Sequence, residues 1–78
     1  MPTIARIGPY RIYFYSHDAN EPAHVHVDRD DSTAKFWLMP VALAYNIGFR
    51  AKELRDIQRI ANERAAEFLE AWNDYFGA

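Results

Sequence analysis

Two histidines separated by one valine, His24 and His26, are the residues of this sequence best suited to chemistry. Alternate residues of a strand point to the same face, so both imidazoles are predicted to share one face of a sheet. Near neutral pH one imidazole can accept a proton while a second, protonated one donates it. Lys35 could stabilise developing negative charge beside them. These three residues are the candidate catalytic group of a metal-independent ribonuclease, for which no cofactor is predicted.

The same histidines leave a metal site open as an alternative. Two imidazoles and a carboxylate are ligand types that divalent transition metals accept. Asp28 lies on the same predicted face, and His17 could supply a third nitrogen from the preceding strand. His-x-His pairs are also common on half-exposed strands, so no metal is predicted. If one binds, the candidate ligands are His17, His24, His26 and Asp28.

Four candidate strands, rich in β-branched and aromatic residues, must position these groups. They cover residues 3–7, 10–17, 24–28 and 33–38. Alternation turns the apolar residues of each strand to one face and the polar residues to the other. Antiparallel pairing then places His24 opposite Trp37, His26 opposite Lys35 and Asp28 opposite Thr33. The preceding strand is predicted to place His17 opposite His24, Tyr15 opposite His26 and Tyr13 opposite Asp28.

The polar face of this sheet is predicted to be an open binding surface. Its aromatic side chains could stack on bases, and Arg11 could hold a phosphate. The same aromatic and basic surface could instead dock a protein without catalysing a reaction. The candidate substrate- or partner-binding residues on this face are Arg11, Tyr13, Tyr15, His17 and Trp37.

The second half of the chain has the period of a helix. From about Ala51 to Phe76 apolar residues recur at steps of three and four. One long helix and two helices separated near Asn62 both fit this pattern, and residues 39–48 fit a connection, an edge strand or a helical turn. The fold class is therefore α+β, in a single domain of residues 1–78. An antiparallel sheet of three or four strands (residues ~3–38) is predicted to pack by one face on a C-terminal helical segment (~51–76).

Composition limits the class of protein. The 78 residues carry a net charge of −2, which argues against a generic nucleic-acid coater. The chain has no cysteine, which excludes a thiolate nucleophile and favours the reducing cytoplasm. The first residues do not read as a secretory signal, and no apolar run is long enough to span a bilayer. A small domain without disulfides also favours a stabilising partner, either a second copy or another protein.

Several segments resemble the bacterial DUF4160 family, a domain of unknown function. They are YRIYFYS (10–16), EPAHVHVD (21–28), AKFWL (34–38), NIGF (46–49) and AWNDYF (71–76). The matching positions include His24, His26, Lys35, Trp37, Asn46, Gly48 and Glu53. The resemblance implies a compact α+β protein, often encoded beside another small protein in a proposed toxin–antitoxin pair. It also adds Asn46 to the candidate partner-binding residues.

One position departs from the family pattern. The family tends to carry Ser or Thr after the Gly-Phe pair, where it would form a capping box with Glu53. This chain has Arg50 there, so the helix start is predicted to be weakly capped.

The leading functional prediction is a small toxin-like protein of a toxin–antitoxin pair, acting on RNA through the polar sheet face. Its predicted partner is a small cognate antitoxin-like protein. The alternatives are a non-enzymatic protein-binding module and a histidine-based metal-binding domain.

Overall fold

A five-stranded antiparallel sheet followed by two helices forms the fold in the computed structural model, which describes residues 3–77. The strands lie side by side in chain order, from β1 at one edge to β5 at the other. The elements are β1 Thr3–Ile7, β2 Tyr10–Tyr13, β3 His24–Arg29, β4 Ser32–Leu38, β5 Val41–Ile47, α1 Ala51–Glu63 and α2 Ala65–Phe76. Within residues 3–77, neither helix has the length and apolar character needed to cross a membrane.

The α+β class agrees with the prediction, but the sheet is larger than the three or four strands expected. The sheet does not end near residue 38, because the segment left open by the sequence forms β5. A bulge in the pairing of β4 with β5 shifts the register between Lys35 and Phe36. The bulge breaks the strict alternation that identifies a half-buried strand. The helical segment divides at Arg64 and not at Asn62.

β3 and β4 pair in the register that alternation predicts. His24 lies opposite Trp37, and His26 lies opposite Lys35. A two-residue turn that includes Asp30 joins the strands, so the loop has no spare length to allow a different register. Asp30 adopts a φ of +52°, a left-handed conformation that aspartate tolerates better than most residues.

The pairing of β2 with β3 differs from the prediction by two residues. Tyr13, and not Tyr15, lies opposite His26, and Arg11 takes the predicted place of Tyr13 opposite Asp28. A shift of two residues keeps the side chains of β2 on their predicted faces. Residues 14–17, predicted to continue this strand, belong instead to the loop that follows it. Alternation alone therefore cannot distinguish the two registers.

Both helices pack on the apolar face of the sheet. The core consists of Ile12, Val25, Val27, Ala34, Phe36, Leu38, Phe49, Ile57 and Phe68. Each strand residue in this set alternates with polar residues of the opposite face. The histidine-bearing face of the sheet therefore points away from this core, although Trp72, near the end of α2, contacts the ring of His24.

The turn between β5 and α1 depends on Gly48. Its φ is +97°, and a Cβ at this position would lie 2.7 Å from Oγ of Ser32. Asn46 braces the same turn, because its Nδ2 donates to the carbonyl of Phe49 at 2.9 Å and its Oδ1 accepts the Phe49 N–H at 3.1 Å. Both ends of the Asn46 amide are thus used inside the fold, although the family resemblance suggests a role in partner binding.

The start of α1 lacks a side-chain cap. Arg50 occupies the N-cap position with φ −82° and ψ 161°, and makes no capping hydrogen bond. We expect Arg50→Ser to raise the free energy of unfolding by about 1 kcal/mol, because the hydroxyl can accept an unpaired N–H of the first turn. Urea denaturation measures the change, with Arg55→Ser inside α1 as the control that gains no cap. An unchanged or lower midpoint for Arg50→Ser would contradict the expectation.

Glu53, in the first turn of α1, ties the helix to the sheet. Its carboxylate accepts hydrogen bonds from Nε (2.5 Å) and Nη2 (2.8 Å) of Arg29 and from the Tyr10 hydroxyl (2.8 Å). The bonds from Arg29, and then from Tyr10, lower the pKa of Glu53 below its ordinary value of 4.5. Burial and the neighbouring Glu53 carboxylate raise the pKa of Tyr10 to about 12.

Glu53→Gln is expected to lower the melting temperature at neutral pH. A carboxyl with a lowered folded-state pKa stabilises the fold above its unfolded pKa, and that stability is lost as pH falls through the folded value. The difference between wild type and Glu53→Gln should therefore shrink as pH falls below 4.5. Thermal melts across this range measure it. Glu67→Gln, an exposed residue 3.5 Å from Arg64, is the control, and a pH-independent difference for Glu53→Gln would refute the assignment.

Candidate functional site

The loop between β2 and β3, residues 14–23, covers one end of the polar sheet face. Asp18 begins a short 3-10 turn in this loop and lies against His24 and His26. The exposed fractions of these three residues are 7%, 0% and 5% respectively. The two histidines therefore lie in a closed environment, and not on the open surface that the sequence predicts.

One oxygen of Asp18 contacts both the backbone of the loop and the imidazole rings of the two histidines. Its Oδ2 accepts the backbone N–H of Tyr15 at 2.8 Å, and lies 3.0 Å from Nε2 of His24 and 3.3 Å from Nε2 of His26. Burial would raise the pKa of Asp18, but the hydrogen bonds from Tyr15 and the histidines outweigh it and hold the pKa below its ordinary value. Asp18 is therefore ionised at neutral pH. Asp18, His24 and His26 are called the Asp–His cluster below.

The hydrogen positions on His24 follow from its two neighbours. Nδ1 lies 2.8 Å from the carbonyl oxygen of Pro22, which can only accept, so Nδ1 carries a hydrogen. In a neutral ring Nε2 would then point a lone pair at the Asp18 carboxylate, 3.0 Å away. A favourable contact requires a positive charge at that position, supplied by a second proton or by another cation.

His26 lies among aromatic rings. The ring of Tyr13 stacks on it at 5.2 Å between centroids, and the ring of Tyr15 meets it edge-on at 4.9 Å. Burial, followed by the charge of His24, lowers the pKa of His26, although Asp18 opposes the shift. A neutral His26 with its hydrogen on Nε2 donates to Asp18.

Two predicted metal ligands lie outside the cluster. Asp28 instead accepts hydrogen bonds from the Tyr13 hydroxyl (3.0 and 3.1 Å) and from Oγ1 of Thr33 (2.6 Å). His17 is exposed and stacks on the ring of Tyr15, with 5.4 Å between centroids. The structure therefore does not bring His17 and Asp28 together with His24 and His26. Burial, together with hydrogen bonding, raises the pKa of the Tyr13 hydroxyl that donates to Asp28.

The cations of the predicted catalytic and binding face are also engaged. Lys35 pairs with the carboxylate of Glu21, and its Nζ lies 4.6 Å above the ring of Trp37. The bond from Lys35 lowers the pKa of Glu21. Arg11 donates from Nε to Oγ1 of Thr3 at 2.8 Å. Its guanidinium carbon also lies 4.6 Å from the centroid of the Tyr13 ring. Lys35 thus contacts Glu21 and not the buried histidines.

No sequence pattern identifies Asp18 as a functional residue. Asp18 stands in a loop, where no periodicity indicates which residues it meets. The available signal is its position six residues before His24, in a loop that must return the chain to the histidine strand. A carboxylate in such a loop can reach back to the first residues of the strand.

A shallow apolar cavity lies beside the β4–β5 turn. Its volume is about 300 Å³, and its walls are Pro22, Ala23, Trp37, Met39, Pro40 and Ala42. These walls include no titratable side chain. The cavity is therefore suited to an apolar group and not to acid–base chemistry.

The edge strand β5 exposes large apolar side chains. Leu43, Tyr45 and Ile47 are 42%, 43% and 61% exposed, and together they are called the β5 surface. Because β5 is the last strand of the sheet, one row of its backbone N–H and C=O groups has no strand partner among residues 3–77. A free edge with exposed apolar residues is suited to pairing with another chain.

A group of cations follows β5 directly in the chain. Arg50, Lys52 and Arg55 are exposed residues at the start of α1. In the described part of the chain, none of the three lies within ion-pair distance of a carboxylate. The strand that carries the β5 surface is therefore followed directly by three exposed cations that form no ion pair among residues 3–77.

Together these features define a small α+β domain: an antiparallel meander backed by two helices, with a closed Asp–His cluster and a free apolar edge. The chain belongs to the family described as "Domain of unknown function (DUF4160)", whose family model matches residues 10–73. This membership confirms the resemblance seen in the sequence. No curated protein and no solved structure matches the chain.

Proposed function

We propose that the chain is the toxin-like component of a toxin–antitoxin pair, and that its cognate antitoxin adds a strand to β5. The free edge of β5, with its exposed apolar side chains, is the observation that carries the proposal. Strand addition uses the unpaired backbone groups for affinity and alternate side chains for specificity. The pairing with a second small protein is what the family resemblance implies, and the lack of cysteine supports a cytoplasmic location.

The charge around β5 favours an acidic partner strand over a second copy of this chain. An antiparallel pair of two β5 strands centred on Ala44 would bring Arg50 of one copy level with Leu38 of the other. No carboxylate occupies residues 38–42 to meet that charge. An antitoxin segment could have an apolar residue at every second position and acidic residues at one end. Such a segment would pair with the backbone of β5 and place its carboxylates beside the cations.

Burial of the histidines favours binding over catalysis by this face. A general base must come within hydrogen-bond reach of the proton that it removes. His24 is 0% and His26 is 5% exposed beneath the loop of residues 14–23. A ribose hydroxyl would reach neither ring in this conformation, so we assign partner recognition to β5 and no RNA cleavage to the histidine pair.

The test combines a binding measurement with a growth measurement. The chain is captured with the product of the adjacent gene, and the Kd is measured for wild type, Tyr45→Lys and Ile47→Lys. We expect each lysine to weaken binding at least about tenfold, because it replaces an apolar contact by a charge that is buried without a partner against the apolar residues of the added strand. Expression of the chain alone should slow growth, and co-expression of the neighbour should restore it.

Ala66→Lys, an exposed position on α2, is the matched control because it introduces the same charge outside β5. Circular dichroism checks that all variants are folded. The proposal is wrong if the β5 variants bind the neighbour as wild type does. It is also wrong if the chain alone forms a dimer through β5 and does not bind the neighbour.

A further inference from the structure

We propose that the Asp–His cluster binds one divalent transition-metal ion of the zinc type, with Asp18, His24 and His26 as its protein ligands. Among residues 3–77, these three side chains form a group in which the possible ligand atoms all lie within 4.8 Å of one another. The site is independent of the proposed partner surface, because it includes no residue of β5.

Two distances within the cluster are close to those of a tetrahedral metal site. With metal–ligand bonds of about 2.0–2.1 Å, neighbouring ligand atoms in a tetrahedron lie about 3.3 Å apart. Oδ2 of Asp18 lies 3.0 Å from Nε2 of His24 and 3.3 Å from Nε2 of His26. The carboxylate oxygen therefore lies at tetrahedral spacing from both nitrogens, and two nitrogens with one carboxylate oxygen suit zinc or ferrous iron.

His24 makes the hydrogen bond that metal-bound histidines usually make with the ring nitrogen that does not bind the metal. Its Nδ1–H donates to the carbonyl of Pro22 at 2.8 Å, which leaves the Nε2 lone pair directed at the cluster. Ligating histidines almost always donate their other ring N–H to a carbonyl or carboxylate in this way. A metal ion would supply the positive charge that the contact between Nε2 and the Asp18 carboxylate requires.

Aromatic rings surround the cluster and limit its access to bulk water. Tyr13 and Tyr15 pack on His26, and Trp72 of α2 packs on His24 with 5.0 Å between ring centroids. Three protein ligands leave a fourth tetrahedral position for water or a small anion. Because Asp18 belongs to a loop and the histidines to β3, an ion here would fasten the loop to the sheet.

The test uses the full chain without an affinity tag, first stripped of metal with a chelator. Zn²⁺ and Co²⁺ are then titrated, followed by Fe²⁺ without oxygen. We expect one ion per chain and a higher melting temperature, because an ion that binds the folded state stabilises it. Co²⁺ should give the intense visible absorption of a tetrahedral site, and Zn²⁺ should displace it.

Asp18→Asn and His26→Gln preserve side-chain size and should weaken Zn²⁺ binding at least about tenfold, as loss of a ligand requires. His17→Gln removes a histidine outside the cluster and should bind like wild type. If the two ligand variants do not fold, the wild-type Co²⁺ spectrum decides. The proposal is overturned if the metal changes neither the wild-type melting temperature nor the Co²⁺ spectrum, or if His17→Gln alone abolishes binding.

Discussion

Replacing Asp18 by Ala is expected to lower the free energy of unfolding by about 3–5 kcal/mol, the range for removing one partner of a buried hydrogen-bonded charge pair. Asp18 accepts the Tyr15 N–H and contacts both histidines through one oxygen. Its loss leaves a backbone donor and two buried rings without their acceptor. A small domain has only about 5–15 kcal/mol of stability in total, so the variant should be close to unfolded at 37 °C.

Urea denaturation with a chelator present measures this effect without any contribution from bound metal. Glu21→Ala is the control, because Glu21 is a carboxylate of the same loop that pairs with Lys35 at the surface. The decrease in the free energy of unfolding should be much smaller for Glu21→Ala than for Asp18→Ala. Asp18→Asn should fall between them, since an amide oxygen can still accept the Tyr15 N–H. Equal losses for the Asp18→Ala and Glu21→Ala variants would show that the cluster does not hold the loop.

Phe14→Ala is expected to cost about 3–5 kcal/mol, the range for removing a large buried aromatic side chain. Phe14 is 1% exposed, and its ring lies 5.3 Å from the centroids of Trp72, Tyr75 and Phe76. This contact fastens the end of α2 to the loop that follows β2. Because Trp72 also packs on His24, the cavity left by Phe14 should loosen the cover of the Asp–His cluster.

Chemical denaturation gives the free energy of the Phe14 variant, and hydrogen exchange shows where protection is lost. Amides of the second half of α2 should exchange faster than in wild type, while those of β4 keep their order of protection. Tyr75→Ala is the matched control, because Tyr75 belongs to the same aromatic group but is 50% exposed. An equally large decrease in the free energy of unfolding for Tyr75→Ala would show that Phe14 is not the residue that holds the end of α2 in place.

The parts of the fold that sequence predicts well are those with short-range constraints. The β3–β4 register follows from alternation and a two-residue turn, and the helical period locates the apolar face that packs on the sheet. The β2–β3 register is off by two residues because the ten-residue loop between β2 and β3 allows either pairing. β5 corresponds to the edge strand that is one of three alternatives for residues 39–48, and its bulge and its exposed apolar residues hide the alternation that would select it.

For the candidate site, the sequence predicts that His24 and His26 share a face but not that this face is closed at their end. The decisive residue is Asp18, whose contacts depend on how the loop of residues 14–23 folds back. The same loop directs Glu21 to Lys35 and so withdraws the predicted catalytic lysine from the histidines. Loop contacts of this kind are tertiary, and no local pattern encodes them.

The most direct test of partner docking at β5 is amide hydrogen exchange of the chain with and without the product of its adjacent gene. A strand that adds to the free edge forms new hydrogen bonds with the backbone of β5. Alternate amides of Val41–Ile47 should therefore become protected in the complex, while protection at His24 and His26 stays as it is in the free chain. Protection confined to the histidine strand and its covering loop, with β5 unchanged, would contradict the proposal.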